Sequence, residues 1–81
     1  MYLHLGEDTT IRTKDIIAIF DLDNASRSPI TKEYFKKIQK ENKVINVSYE
    51  LPKSFVVCIE KDKEIVYISQ LSPITLLKRL K

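Results

Sequence analysis

The sequence is poor in the residues on which several classes of functional site depend. Among its 81 residues there is one glycine, one cysteine, one histidine and no tryptophan. One glycine cannot build a glycine-rich phosphate-binding loop, and a lone histidine without a cysteine or aspartate cluster at ligand spacing does not favour a metal site. No apolar run approaches the roughly 18 residues that a membrane-spanning helix requires. We therefore expect one small domain, residues 1–81, without metal, cofactor, small-molecule substrate or membrane span.

The single cysteine and the N-terminal residues bear on location. Cys58 lies within an apolar run and has no second cysteine to pair with, so we interpret it as a small buried side chain rather than a reactive thiol. The first ten residues, MYLHLGEDTT, lack the basic start, long apolar segment and small-residue cleavage site of a signal peptide. Both observations predict a cytoplasmic protein.

The charge is small overall but unevenly distributed. The formal net charge is +3. Residues 1–28 carry three basic and five acidic side chains, net −2, whereas residues 29–81 carry eleven basic and six acidic side chains, net +5. Clustered positive charge attracts polyanions such as nucleic acid. We therefore expect any basic partner-binding surface to lie in the second part of the chain.

Residues 53–69, KSFVVCIEKDKEIVYIS, predict two β-strands joined by a tight turn. The two apolar runs are rich in β-branched and aromatic residues, which favour strands. With a two-residue turn at Asp62 and Lys63, Ile59 would lie opposite Val66. One face of this hairpin is then apolar and the other mixed, which fixes the register. Because two strands are not stable alone, the rest of the chain is expected to cover them.

The remaining segments predict further strands and two helices. Apolar and polar residues alternate near Gly6, which favours an opening hairpin. Gly6, the single glycine, is expected in its turn at a positive φ angle. The runs DIIAIFDL, residues 15–22, and VINVSY, residues 44–49, favour a buried strand and a further strand. The expected class is α+β: a small, mostly antiparallel sheet of about five to six strands, one amphipathic helix after the second or third strand, and a short C-terminal helix.

The segment SPITKEYFKKIQKENK, residues 28–43, predicts the amphipathic helix, with Ser28 as its N-cap and Pro29 at its first position. At 100° per residue, one side carries Ile30, Tyr34, Phe35 and Ile38, and another carries Lys32, Lys36, Lys40 and Lys43. Such a row of lysines is more often a solvated face, and Glu33 and Glu41 partly offset it. Repeated around a ring of subunits, it would become a basic surface able to hold DNA by its phosphates.

An Asp-x-Asp pair, Asp21 and Asp23, follows the apolar run of the first half. It resembles the first motif of haloacid-dehalogenase-type phosphatases, in which the first aspartate is the nucleophile and the second the general acid. That superfamily also needs a doubly wound parallel sheet, a downstream lysine and further acidic metal ligands, whereas only 58 residues follow Asp23. The alternative is that both are loop carboxylates flanking an inward Leu22.

Four segments taken together resemble one protein family. They are MYLHLG at residues 1–6, IIAIFD at 16–21, SPI at 28–30 and LPKSFVV at 51–57. In this order they resemble the RemA/RemB family of bacterial extracellular matrix (biofilm) regulators, specifically its RemB-like branch. The resemblance covers nearly the whole chain and implies a small α/β domain that assembles into rings. For the RemA branch it implies a DNA-binding activator of biofilm-matrix genes.

The chain departs from the RemA-like pattern at one segment. RemA-like members carry Gly-Arg-Arg-Thr-Arg, tied to DNA contact, where this chain reads Glu50-Leu51-Pro52-Lys53-Ser54. Only Lys53 is positively charged there. The candidate nucleic-acid-binding residues are therefore Lys53 from the resemblance, Lys32, Lys36 and Lys40 from the charge geometry, and Arg27 near the helix start.

These observations lead to three hypotheses. The first is a non-enzymatic, homo-oligomeric, ring-forming transcription regulator that contacts double-stranded DNA mainly through phosphates, because no recognition helix with base-reading side chains is present. The alternative is a ring-forming scaffold or a protein-binding module without DNA affinity. The third is a minimal haloacid-dehalogenase-like phosphatase.

Overall fold

The described residues combine short strands with two α-helices, as the predicted α+β class requires. The computed structural model describes residues 1–22, 29–41 and 43–80. Its elements are β1 (Tyr2–Gly6), β2 (Thr9–Arg12), a 3-10 turn (Thr13–Asp15), β3 (Ile16–Asp21), α1 (Pro29–Glu41), β4 (Lys43–Asn46), β5 (Ser54–Glu60), β6 (Lys63–Ser69) and α2 (Pro73–Arg79). The six described strands, the amphipathic helix after the third and the short C-terminal helix confirm the prediction. Neither described helix is long and apolar enough to cross a membrane.

The described strands are divided between two sheets, which the sequence did not lead us to expect. Strands β1 and β2 form an antiparallel pair, and the larger sheet has the order β3-β5-β6-β4. In the larger sheet β5 is antiparallel to both β3 and β6, while β4 runs parallel to β6. Strands β3 and β4 therefore point the same way at opposite edges. Helix α1 is the crossover that joins them, as parallel strands require.

The central hairpin forms with a turn one residue earlier than predicted. The turn residues are Lys61 and Asp62, with φ angles of 51° and 65°. Two positive φ angles define a type I′ turn, whose twist matches that of the flanking strands. Ile59 consequently lies opposite Glu64, and the predicted pairing of Ile59 with Val66 is wrong. The partner shifts by two residues, so each side chain stays on its predicted face.

Both faces of the larger sheet are covered. On one face α1 contributes Ile38, which is buried with Phe55, Val57 and Val66. On the other face, the β1-β2 hairpin and α2 enclose the larger core cluster: Leu3, Leu5, Ile11, Val47, Val56, Cys58, Tyr67 and Leu76. Burying one such aliphatic side chain stabilises the fold by about 1.5 to 3 kcal/mol. The molecule is thus three layers, with the larger sheet in the middle.

The opening hairpin is confirmed, and its glycine has the predicted backbone conformation. Gly6 has a φ angle of +117°, which side-chain-bearing residues rarely adopt. A Cβ atom at this position would lie 2.6 Å from Nε2 of Gln70. Nearby, the Ser69 hydroxyl donates a buried hydrogen bond of 2.7 Å to the Leu5 carbonyl. This bond fastens the small sheet to the end of β6.

The strand predicted over residues 15–22 is shorter and less buried than expected. Strand β3 covers Ile16–Asp21 and lies at an edge of the larger sheet, so most of its residues are only half-buried. Ile17 is exposed, at an irregularity in the pairing between Ile16 and Ala18. A β-bulge of this kind occurs preferentially at sheet edges.

Candidate nucleic-acid interface

Helix α1 presents lysines to solvent because its opposite side is fixed to the sheet. Ile38 is buried against the sheet. The ring of Tyr34 lies 6.2 Å from that of Phe20, and its hydroxyl donates a 3.2 Å hydrogen bond to Glu64. Partial burial, and then the charge and hydrogen bond of Glu64, raise the pKa of Tyr34. The side chains of Ile30 and Phe35 lie outside the described residues.

The lysines predicted from the helical periodicity lie on the outer surface of α1. Lys32, Lys36 and Lys40 are exposed, as expected. Lys37, which the prediction missed, is also exposed and lines a shallow depression of about 310 Å³ with Glu33, Lys36 and Lys40. None of these four lysines forms a salt bridge with another described residue. Their ammonium groups are therefore available to a negatively charged partner.

Lys43 is exposed but does not continue the helical row. Helix α1 ends at Glu41, and Lys43 begins β4, where it pairs with Ile65 of β6. The grouping of Lys43 with the helical lysines was wrong. The helical spacing of lysines in the sequence continues to residue 43, whereas helix α1 ends at Glu41.

Lys53 lies in an exposed connection whose backbone is held at both sides. Its backbone amide donates to the Ser69 carbonyl at 2.9 Å, and its carbonyl accepts from the Leu22 amide at 3.0 Å. Lys53 is therefore fixed at the end of the sheet where β3 and β6 finish and β5 begins. Its side chain is exposed.

The topology determines which lysines lie towards Lys53. The chain leaves β3 at the Lys53 end of the sheet and enters β4 at the other end, so α1 runs between the two ends. Lys32 is in the first turns of α1, and Lys40 is about 12 Å further along its axis, at 1.5 Å per residue. Lys53 therefore lies at the end of the sheet where β3 finishes, and Lys40 lies near the other end, because α1 finishes at Glu41 and β4 begins at Lys43. Arg27, the remaining candidate, lies outside the described residues.

The other residues considered from the sequence have structural partners. Cys58 is buried, and its burial, followed by the charges of Glu60 and Asp15, raises the pKa of its thiol to about 12. This agrees with the prediction of a buried side chain. Nε2 of His4 lies 2.7 Å from the Glu7 carbonyl oxygen and its Nδ1 lies 3.3 Å from Arg79. Residues 1–22, 29–41 and 43–80 contain no group of three histidine, cysteine, aspartate or glutamate side chains placed to bind a metal.

The position of β3 argues against the phosphatase hypothesis. Asp21 ends an edge strand that pairs antiparallel with β5, whereas the phosphatase motif requires a doubly wound parallel sheet. The second aspartate of the motif, Asp23, lies outside the described residues.

Comparison with known proteins identifies the family of this fold. The model of the RemA-like family, described as "Extracellular matrix regulatory protein A-like", matches residues 2–80. The chain belongs to the RemA-like family. It is also 43% identical over 79 residues to Extracellular matrix regulatory protein B of Bacillus subtilis (strain 168), a match that covers 98% of this chain and 89% of that protein. The RemA-like resemblance and its RemB-like branch, predicted from four sequence segments, are thereby confirmed.

In this RemA-like domain the segment Glu50-Leu51-Pro52-Lys53-Ser54 lies on the surface except for Ser54, which is buried. Glu50, Leu51, Pro52 and Lys53 are all exposed. This connection is therefore a surface of mixed apolar and charged side chains.

Proposed function

We propose that this RemA-like domain is a non-enzymatic, homo-oligomeric DNA-binding regulator of extracellular matrix (biofilm) genes, and that it contacts DNA mainly through phosphates. The observation that carries the proposal is the exposed lysine surface of α1, formed by Lys32, Lys36, Lys37 and Lys40. Membership of the RemA-like family and the similarity to Extracellular matrix regulatory protein B support the regulatory part.

The chemistry of this surface fits phosphate contact better than base reading. Lysine carries a compact, flexible positive charge, which suits contacts to a phosphate backbone. Such contacts fix a protein on DNA without reading sequence directly. The four lysines occupy nine residues of helix, and the depression that Lys36, Lys37 and Lys40 line has only Glu33 as a described acidic neighbour. Lys53 adds a charge towards one end of the sheet.

One subunit alone offers a short contact surface, which is why the proposal includes oligomerisation. The lysines of α1 span about 12 Å along the helix axis. A few phosphate contacts give the weak, salt-sensitive binding of non-specific complexes, with dissociation constants of roughly 10⁻⁴ to 10⁻⁶ M. Several copies acting together raise the apparent affinity without any new type of contact.

The test is the salt dependence of binding to a labelled DNA duplex. We expect the binding constant to fall steeply with salt, and the slope of log K against log salt to decrease by about 0.9 for each phosphate contact removed. The variant Lys32→Gln/Lys36→Gln/Lys53→Gln should flatten this slope. The matched control is Lys14→Gln/Lys61→Gln/Lys63→Gln, which removes the same charge from other exposed positions. Equal effects of the two triple variants would contradict a contact through α1.

The second candidate function is a self-assembling scaffold or protein-binding module without DNA affinity. The exposed apolar residues in the segment that departs from the arginine-rich pattern favour it, Leu51 above all. Oligomerisation without duplex binding, even at low salt, would select this candidate over the first.

A further inference from the structure

A cleft of about 480 Å³ lies where the β1-β2 hairpin meets the turn between β5 and β6. This hairpin cleft is lined by apolar side chains from both sheets, by an aromatic ring and by the two lysines at the turn: Ile11, Ile65, Tyr2, Lys61 and Lys63. Its volume is within the range of about 300 to 1,000 Å³ found for small-molecule sites. Ile11 and Lys61 are 50 residues apart in the chain, so no local pattern of the sequence predicts the cleft.

The floor of the hairpin cleft is apolar and fixed. Ile11 is buried in the core cluster on this face of the larger sheet, and Ile65 packs against the same cluster. Tyr2 is 69% exposed, so its ring is open to a ligand. The preceding carbonyl, of Met1, accepts hydrogen bonds from the Thr13 amide at 3.1 Å and from the Thr13 hydroxyl at 3.2 Å. The backbone that carries the aromatic ring is therefore held in place.

The two carboxylates of the lining are already hydrogen-bonded within the protein. Glu60 accepts a 2.5 Å hydrogen bond from the Tyr67 hydroxyl, and Asp15 accepts a 3.0 Å hydrogen bond from Nε of Arg12. Burial, and then the hydrogen bond and charge of Glu60, raise the pKa of Tyr67, so its hydroxyl remains a donor at neutral pH. Asp15 is paired with a guanidinium, whereas Glu60 keeps its negative charge beside the cleft.

The two lysines of the lining form no salt bridge with another described residue. Lys63 is the cross-strand neighbour of Glu60, whose carboxylate is bonded to a tyrosine instead. Lys61 occupies the first position of the type I′ turn, which fixes the backbone from which its side chain leaves. Asp62 follows it in the turn but lies outside the lining. Three basic and two acidic side chains line the cleft, a net charge of +1.

A small aromatic phosphate matches these features. A phosphate monoester carries about −1.5 to −2 charges at pH 7 and three acceptor oxygens, so one phosphate can contact two ammonium groups. Hydrogen bonds from ammonium to phosphate are stronger than those between neutral groups. A planar ring can lie on the apolar floor and make an offset or edge contact with the ring of Tyr2. The cleft thus has a place for the charged part of such a molecule and another for its apolar part.

We propose that the hairpin cleft binds a small aromatic phosphate of mononucleotide size, with its phosphate between Lys61 and Lys63 and its ring on the apolar floor beside Tyr2. The ligand is bound and not converted, so the domain stays non-enzymatic. The inference goes beyond the proposed function and does not rest on it, because the lysines of the cleft and those of α1 belong to different elements.

The first test compares three probes by isothermal titration calorimetry: adenosine monophosphate, adenosine and inorganic phosphate. We expect adenosine monophosphate to bind, and the other two to bind at least tenfold more weakly, because each keeps only the ring or only the anion. In amide NMR spectra, adenosine monophosphate should shift the signals of Tyr2, Ile11, Lys61 and Ile65 most. Absence of its binding at millimolar concentration, or a second probe that binds as tightly, would overturn the inference.

The second test uses variants with opposite expected effects. Lys61→Gln and Lys63→Gln should each weaken binding of adenosine monophosphate about tenfold, because each removes a hydrogen bond between charged groups. Glu60→Gln should strengthen binding several-fold, because it removes a negative charge and keeps an acceptor for the Tyr67 hydroxyl. The matched control is Lys78→Gln, an exposed position outside the lining, which should leave binding unchanged.

General damage to the fold cannot both weaken and strengthen binding, so the two signs together are specific. A loss of binding in Glu60→Gln, or a loss in Lys78→Gln as large as that in Lys63→Gln, would overturn the inference.

Duplex binding separates this inference from the proposed function. Lys61→Gln/Lys63→Gln should lose adenosine monophosphate and keep the duplex, whereas Lys36→Gln/Lys40→Gln should do the reverse. Binding of adenosine monophosphate by a protein that binds no duplex at low salt would support the inference and overturn only the DNA-binding part of that function. Equal losses of both ligands in Lys61→Gln/Lys63→Gln would make the cleft part of a DNA surface and overturn the small-molecule assignment.

Discussion

The two faces of the larger sheet differ in what covers them. The β1-β2 hairpin and α2 cover one face with the larger set of buried aliphatic and aromatic side chains, whereas α1 is the described helix that covers the other. The α1 side in return carries the exposed lysines. Stability and candidate function are therefore concentrated on opposite sides of one sheet, and substitutions on the outer surface of α1 can test function with little effect on folding.

The largest expected loss of stability comes from a substitution on the face of the larger sheet that the β1-β2 hairpin covers. Leu5 is completely buried within its core cluster. We expect Leu5→Ala to lower the free energy of unfolding by about 2 to 5 kcal/mol, through lost apolar burial and the cavity left behind. Urea denaturation followed by circular dichroism measures the change. Lys36→Gln on α1 serves as the control and should change stability by no more than about 0.5 kcal/mol. Similar losses of stability in the two variants would contradict the difference between the two faces of the sheet.

The next effect concerns the turn of the opening hairpin. Gly6→Ala places a side chain at a φ angle of +117° and directs its Cβ towards Gln70. We expect a loss of about 1 to 3 kcal/mol, the cost of a residue held in a sparsely populated backbone conformation. Combining Gly6→Ala with Gln70→Ala removes the close contact and leaves the backbone strain. Full recovery of stability in the double variant would show that strain contributes nothing.

A matched pair of tyrosines compares the two faces directly. The Tyr67 hydroxyl donates to Glu60 at 2.5 Å on the hairpin side, and the Tyr34 hydroxyl donates to Glu64 at 3.2 Å on the α1 side. Tyr67 is 7% exposed and Tyr34 37% exposed. We expect Tyr67→Phe to cost about 1 to 2 kcal/mol and Tyr34→Phe about 0.5 kcal/mol or less, because a hydrogen bond to a charged group contributes more where water cannot replace it. The reverse order in denaturation experiments would contradict this assignment.

The last prediction is a pH dependence from the hairpin side. Burial raises the pKa of Cys58 to about 12, above the value of about 8.5 expected for an unfolded chain. The neutral thiol therefore stabilises the fold fully below pH 8.5, and this contribution is lost as the pH rises towards 12. Unfolding experiments between pH 8 and 10 should show a decline that is shallower in Cys58→Ala. An identical decline in both proteins would exclude the thiol as its source.

The strands and helices were predictable because their signals are local. Alternation around Gly6 identified the opening hairpin, runs of β-branched and aromatic residues identified the central hairpin, and proline at the first helical position identified the helix that begins at Pro29. The turn at Lys61 and Asp62 was misplaced because neither residue is the glycine that usually marks a type I′ turn. The division into two sheets depends on contacts such as that between Ser69 and Leu5, which are 64 residues apart. No local pattern specifies a contact at that separation.

The candidate site was predictable to the same extent. Periodicity identified Lys32, Lys36 and Lys40 as exposed positions, because solvent exposure follows from the burial of Ile38 on the other side of the helix. Lys37 was missed because the projection favoured a single row spaced by four residues, and Lys43 was misassigned because the helix ends two residues before it. The contact of these lysines with DNA stays a prediction.

The crossover through α1 has a consequence for how the chain is synthesised. In the described sheet, the partner of β3 is β5 and the partner of β4 is β6, so the outer strands are made before the inner ones. A nascent chain that ends at residue 46 holds both edges of the larger sheet and none of its centre. Its sheet has to wait for residues 54–69 to emerge and insert between strands already made. The larger sheet can therefore form only after the central hairpin, β5 and β6, has left the ribosome.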